Sequence, residues 1–95
     1  MSRETARVLI DQKLKELRKL GYQDLLELMQ QRPSTKMARG QDGENYQMEV
    51  QSFWDGKKGG DIRVLVSVDG GEVSAFRPLT GDFIIRPDGS FVGEN

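Results

Sequence analysis

The sequence predicts an α+β domain of two layers, in which an N-terminal pair of helices packs on one face of an antiparallel meander of four to five strands. Apolar residues recur at helical spacing through residues 3–31 and alternate at strand spacing in several segments after residue 45. Turns rich in glycine and aspartate separate those segments. The 95 residues are enough for a single domain, 1–95, with one modest hydrophobic core.

The helical segment is predicted within residues 1–32. Residues 3–20 place their leucines, an isoleucine and an alanine within one arc of a helix, and most charged residues on the opposite side. Gly21 suits the position just after the end of this helix. A second, shorter helix is predicted over residues 23–31, since the residue before Pro33 is pushed out of the helical region.

Residues 33–45 are predicted to be a polar linker. The segment is rich in polar side chains and is interrupted by Pro33, Gly40 and Gly43. A connection of this length without secondary structure is uncommon in a compact domain, and is either functional or mobile. A mobile linker is the favoured interpretation.

The antiparallel sheet is predicted within residues 46–92, around the segment Ile62–Val68. That segment has β-branched aliphatic residues at every second position, which is the side-chain period of a strand. Residues 46–54 alternate in the same way and are expected beside it. Residues 72–77 are expected on its other side, after a short turn at Asp69-Gly70-Gly71.

A last hairpin is predicted from residues 82–86 and 90–92. Between them, Pro87-Asp88-Gly89 is a turn sequence in which proline presets one backbone angle and glycine takes the left-handed conformation. The loop Asp55–Asp61 lacks the helix and the Ser or Thr of a phosphate-binding loop, and is interpreted as a connection between strands. The segment after Asp88 misses the calcium-loop pattern.

The composition argues against catalysis and against a bound cofactor. The chain contains no Cys and no His, so it lacks disulfides, thiolate ligands, the commonest general base and the commonest metal ligand. No nucleophile stands at a fixed spacing from a base. We therefore expect a non-catalytic protein, and we infer no cofactor, metal or small-molecule ligand.

The first residues indicate a cytoplasmic, soluble protein without a membrane anchor. They are charged from Arg3 onward and are followed by only three consecutive apolar residues. A signal peptide needs an apolar run of about 7–15 residues, and a membrane span needs about 20.

Charge is distributed unevenly, although the formal net charge is only −1. Residues 1–39 carry nine Lys or Arg against five Asp or Glu, and residues 40–95 carry five against ten. A basic face on the first helix is therefore an alternative, nucleic-acid-binding site. Acidic residues three or four positions away are expected to neutralise it locally, so nucleic acid is an unlikely partner. This basic face consists of Arg7, Lys15, Arg18 and Lys19.

The interaction site favoured by the sequence lies on the outer face of the sheet. If Val64, Val66 and Trp54 face the helices, then Phe53, Leu65 and Phe76 face away from them. Large apolar groups on such a face are usually covered or used for binding. Either a hairpin over residues 83–92 covers them, or they form a surface for a protein partner or for a homodimer. A small protein-interaction or self-associating module is the function this predicts.

Overall fold

The computed structural model of the chain describes residues 2–69 and 78–94. Within them the strands form one antiparallel sheet in the order β1-β2-β3-β4, so the predicted α+β class is confirmed. No helix in these ranges is both long enough and apolar enough to cross a membrane. The elements are α1 (Arg3–Arg18), α2 (Tyr22–Met29), β1 (Ser34–Arg39), β2 (Asn45–Trp54), β3 (Ile62–Asp69) and β4 (Leu79–Ile85).

Both helices begin and end within two residues of the predicted positions. Helix α1 is capped by Ser2, whose Oγ accepts a hydrogen bond from the Thr5 N–H at 3.1 Å. Gly21, predicted to close the first helix, stands directly before α2 as its N-cap. The Tyr22 hydroxyl donates to the Gly60 carbonyl oxygen at 2.6 Å, which ties the start of α2 to the loop between β2 and β3.

The prediction of a polar linker over residues 33–45 is wrong. Strand β1 lies in this segment and pairs antiparallel with β2, from Ser34 opposite Val50 to Arg39 opposite Asn45. A tight loop joins them: the Gly43 N–H donates to the Gly40 carbonyl, and Gly43 has a φ of 83° that favours glycine. Strand β1 could not be predicted from apolar alternation, because most of its side chains are exposed.

The neighbours of the central strand among the described residues differ from those predicted. Strand β3 has β2 on one side and β4 on the other, with Ile62 opposite Ile85 and Val68 opposite Leu79. Strand β4 therefore occupies the place expected for residues 72–77, which themselves lie outside the described residues. Of the predicted strand 90–92, an isolated bridge between Phe91 and Ile85 is present.

The hydrophobic core lies on the inner face of the sheet, which we define as the face carrying Val64 and Val66. Both valines are fully buried, as expected, whereas Trp54 is half-buried. Gly81 of β4 allows α1 to approach closely, since a Cβ there would lie 2.7 Å from Cγ2 of Ile10. The buried apolar cluster comprises Ala6, Ile10, Leu17, Leu25, Tyr46, Ile62, Val64, Val66, Val68, Phe83 and Ile85.

Candidate binding surfaces

Phe53 and Leu65 lie on the outer face of the sheet, the face opposite the core. Phe53 is 39% exposed, and Leu65 is half-buried. The strand register places Phe53 opposite Arg63 and Leu65 opposite Gln51, so the two apolar side chains are diagonal neighbours. Phe76, the third predicted member of this surface, lies outside the described residues.

An ion-pair network interrupts the apolar residues of the outer face. Arg63 lies between Phe53 and Ile84 in one cross-strand row, and its guanidinium binds the carboxylates of Asp55, at 2.9 Å, and Asp82. Hydrogen bonding to Asp55 and then to Asp82 raises the pKa of Arg63. Ile84 is an apolar neighbour that the sequence analysis missed, because the predicted register put another strand in its place. The outer face is thus a mixed surface.

Residues 86–94 do not cover this outer face. The Val92 N–H donates to the Ile84 carbonyl oxygen at 2.9 Å, which places the segment beside β4 in the plane of the sheet. The Phe91 ring packs edge-on against buried Phe83, with 5.5 Å between ring centroids. The alternative in which a hairpin over residues 83–92 folds over Phe53 and Leu65 is therefore wrong.

Two of the four residues of the predicted basic face are held by contacts within the fold. Arg7 donates from Nη1 to the Thr80 carbonyl oxygen at 3.1 Å. Arg18 binds Glu94 at 2.8 Å, and its guanidinium carbon lies 5.3 Å from the centroid of the Phe83 ring. Lys15 and Lys19 are exposed, and neither has an ion pair within the described residues.

The ion pair observed within α1 differs from the pairs that were expected to neutralise its basic face. In the described part of the chain, the ion pair formed within α1 is Lys13–Glu16 at 3.4 Å. The pairs expected from spacing, Glu4–Arg7, Arg7–Asp11 and Asp11–Lys15, do not form there. Arg7 instead reaches β4, because α1 packs across that strand.

Strand β1 presents an open sheet edge, which the sequence analysis missed. The hydrogen bond from the Gly40 N–H to the Glu44 carbonyl fixes the alternation of the ladder. It follows that Thr35, Met37 and Arg39 direct their backbone N–H and C=O groups away from β2. Among the described residues, no group bonds to these backbone atoms. We call these residues and their outward backbone groups the β1 edge.

Strand β1 and the residues just before it are basic. From residue 30 to residue 40 the sequence contains Arg32, Lys36 and Arg39 and no acidic residue. All three side chains are exposed, and within residues 2–69 and 78–94 none pairs with a carboxylate. Positive charges on and just before a free strand attract acidic groups and repel a second copy of the same strand.

A small cleft lies on the inner face beside the β1 edge. Helix α1 packs mainly over β3 and β4 and α2 over β2 and β3, which leaves the inner side of β1 open. The cleft has a volume of about 110 Å³. Small-molecule pockets usually measure about 300–1,000 Å³, so this one has room for an apolar side chain and not for a cofactor. Its lining comprises Lys13, Leu17, Leu28, Ser34, Lys36, Met48 and Val50.

A hydrogen-bond network fixes the β1–β2 hairpin to the start of α1. The hydroxyl of fully buried Tyr46 donates to Asp42 Oδ2 at 2.6 Å and accepts from the Ser2 N–H at 3.1 Å. The Tyr46 hydroxyl lowers the pKa of Asp42, and burial followed by the Asp42 carboxylate raises the pKa of Tyr46. The network therefore positions the β1–β2 hairpin against the start of α1.

In the ranges that the structure describes, no three His, Cys, Asp or Glu residues are close enough together to hold an ion. The comparisons with known proteins give no family: no protein-family model, curated protein or solved structure matches the chain. The β1 edge and the adjacent cleft are therefore interpreted from their own geometry.

Proposed function

We propose that this domain is a non-catalytic protein-interaction module that binds an extended segment of another protein along the β1 edge. The observation that carries the proposal is the set of outward backbone groups on Thr35, Met37 and Arg39, which lack partners within the described residues. Adding a strand to such an edge is a recurrent mode of peptide recognition, because the backbone bonds supply affinity and the side chains supply specificity.

The outer face is a weaker candidate than the β1 edge. Its apolar residues Phe53 and Leu65 flank the charged Arg63 network, and the exposed fraction of Phe53 is modest. Interface centres are depleted in charged residues. Met37, whose side chain lies on β1 at the edge of this same outer face, is 60% exposed. The outer face adjoins the bound segment in this proposal and does not form its centre.

A partner of different sequence is favoured over a second copy of the chain. An antiparallel pair of β1 strands centred on Met37 would place Lys36 of each copy opposite Ala38 of the other, so that the two Lys36 side chains are diagonal neighbours on one face. Arg32 would add to the same positive region in both copies. Because like charges across neighbouring strands are destabilising, we expect a monomer. The cytoplasmic location expected from the sequence stays a prediction.

The proposal is tested with a displayed library of random nine-residue peptides and the variant Met37→Pro. Proline removes the central outward N–H, and an edge strand tolerates it there because that N–H does not bond to β2. Met37→Ala is the matched control, since it shortens the side chain and keeps the N–H. We expect Met37→Ala to weaken the peptides selected on the wild-type domain only by the loss of its side chain, and Met37→Pro to weaken them at least tenfold more than Met37→Ala does.

Three results would contradict strand addition. The first is equal binding of the selected peptides to Met37→Pro and the wild type, with circular dichroism showing both folded. The second is a library without enriched peptides. The third is binding of a mixed-sequence oligonucleotide that falls with salt and with Lys15→Ala and Lys19→Ala, which would favour the nucleic-acid alternative on α1.

A further inference from the structure

We infer that the segment bound at the β1 edge is acidic, and that it places one apolar side chain in the inner-face cleft with a carboxylate two residues away beside Lys36. This inference rests on the strand addition proposed above and names the chemistry of its partner. It follows from two separate observations, the unpaired charge on β1 and the shape of the cleft.

The charge of β1 selects the charge of the partner. Lys36 and Arg39 are exposed and have no carboxylate partner in the described residues, whereas Arg18 and Arg63 are both paired. An edge of this kind resists a basic strand and accepts an acidic one, because cross-strand pairs of opposite charge are favourable. Exposed ion pairs contribute little each, so we expect several carboxylates and a clear dependence on salt.

The alternation of a strand decides which of its side chains reach the cleft. In an added strand, residues opposite Ser34 and Lys36 would project toward the inner face, and the residue opposite Thr35 would project toward the outer face. Ser34 is small and exposed, so a larger apolar neighbour can extend across it toward Val50. The next inward residue then lies beside Lys36. The apolar and acidic residues of the partner are therefore two positions apart.

The cleft lining fits an apolar side chain better than a polar one. Four of its seven lining residues are apolar: Leu17, Leu28, Met48 and Val50. A cavity of about 150 Å³ lined by apolar side chains can hold a molecule as large as benzene, and this cleft measures about 110 Å³. The amino group of Lys13 is already paired with Glu16. Lys36 is thus the lining cation that is left to meet a partner carboxylate.

The test uses peptides selected by display on the wild-type domain and compares three variants. Ser34→Phe places a ring over the cleft from the protein's own side, and Thr35→Phe, its matched control, places the same ring on the outer face. Lys36→Glu reverses the charge. We expect the peptides to be acidic, with an apolar residue two positions from Asp or Glu. We expect Ser34→Phe to weaken them at least tenfold more than Thr35→Phe does, because only the ring at position 34 lies over the cleft.

Lys36→Glu should weaken the acidic peptides about fivefold at low salt, and less at high salt, because exposed charges are screened. A second selection on Lys36→Glu should enrich basic peptides. Thermal melts keep the comparison valid: all three sites are exposed on an edge strand, so each variant should melt cooperatively near the wild type.

The outcomes separate this inference from the proposal beneath it. If Met37→Pro abolishes binding while Ser34→Phe and Lys36→Glu do not, strand addition stands and the acidic, cleft-filling partner is wrong. If Met37→Pro binds like the wild type, both fail together. Selected peptides without acidic bias overturn the inference, and so does a concentration-dependent dimer in sedimentation that Lys36→Glu strengthens, since the occupant would then be a second copy.

Discussion

The two edges of the sheet are protected in different ways. At the β4 edge the chain covers itself: the Ile84 carbonyl accepts the Val92 N–H, and the Thr80 carbonyl accepts Arg7. At the β1 edge the outward backbone groups have no such partners within the described residues, and exposed Lys36 and Arg39 stand beside them. Charge on an edge strand prevents indiscriminate pairing. The comparison indicates that positive charge protects β1 from pairing with most strands, and that this protection does not act against an acidic strand.

The inner face shows the same contrast. At β4, Gly81 lets α1 approach so closely that a Cβ would lie 2.8 Å from Cδ1 of Leu14. At β1 the inward residues Ser34 and Lys36 have no such helix above them, and the cleft remains open. The β4 end of the sheet is therefore covered by α1, whereas the inner side of the β1 end stays open.

The largest effect on stability is expected from Val66→Asp, which places a charge in β3, between β2 and β4. Val66 is fully buried at the centre of β3, and an unpaired buried carboxylate costs several kcal/mol. A domain of this size has roughly 5–15 kcal/mol of total stability. We expect loss of the cooperative thermal transition. Ser67→Asp is the control, since it puts a carboxylate on the outer face; equal melts for both variants would contradict the assigned faces.

A smaller effect is expected when apolar side chains are removed from the two edges in parallel. Phe91→Ala deletes the ring that packs on Phe83 and under Arg18, and should lower the free energy of unfolding by about 1–3 kcal/mol. Met37→Ala removes an exposed side chain and should change it by less than about 0.5 kcal/mol. Urea unfolding measures both. Similar losses at the two positions would mean that the edges are equally packed.

The pH dependence of stability reports how β1 is fixed to α1. The pKa of Asp42 is lowered from 3.8, chiefly by the Tyr46 hydroxyl, so its contribution is present above pH 3.8 and is lost as pH falls through the lowered pKa. Asp42→Asn should be less stable than the wild type near neutrality, and the gap should close in acid. Thermal melts from pH 7 to pH 2 measure it. A gap that is constant with pH would assign the loss to the hydrogen bond alone.

The elements that the sequence predicted correctly are those in which buried and more exposed side chains alternate with a regular period. Strand β3 alternates buried and half-buried residues along its length, and its apolar period showed this directly. Helices α1 and α2 were found for the same reason. Strand β1 was missed because an exposed edge strand imposes no apolar period on its residues. Strand β4 was placed too late because Gly81 and Asp82 interrupt its apolar pattern.

The candidate site was less predictable than the fold. Alternation correctly put Phe53 and Leu65 on one face, but it did not show that Arg63 would lie between Phe53 and Ile84. The cleft joins residues from both helices and two strands, so its existence depends on tertiary packing. One property was available from the sequence: residues 30–40 hold three cations and no acid, so the positive charge of this segment could be seen without the structure.

The smallest and sharpest effect is the alternation of amide exchange along β1. Lys36 and Ala38 are in the positions whose N–H groups face β2, whereas the N–H groups of Thr35, Met37 and Arg39 face outward. Outward amides without a partner should exchange at least tenfold faster than their inward neighbours. NMR-detected hydrogen exchange of the free domain measures this residue by residue.

Uniformly fast exchange would restore the linker prediction for residues 33–45. Uniformly slow exchange would show that the β1 edge is already covered. Addition of a selected peptide should slow Met37 more than Lys36, because only the outward N–H gains a new acceptor.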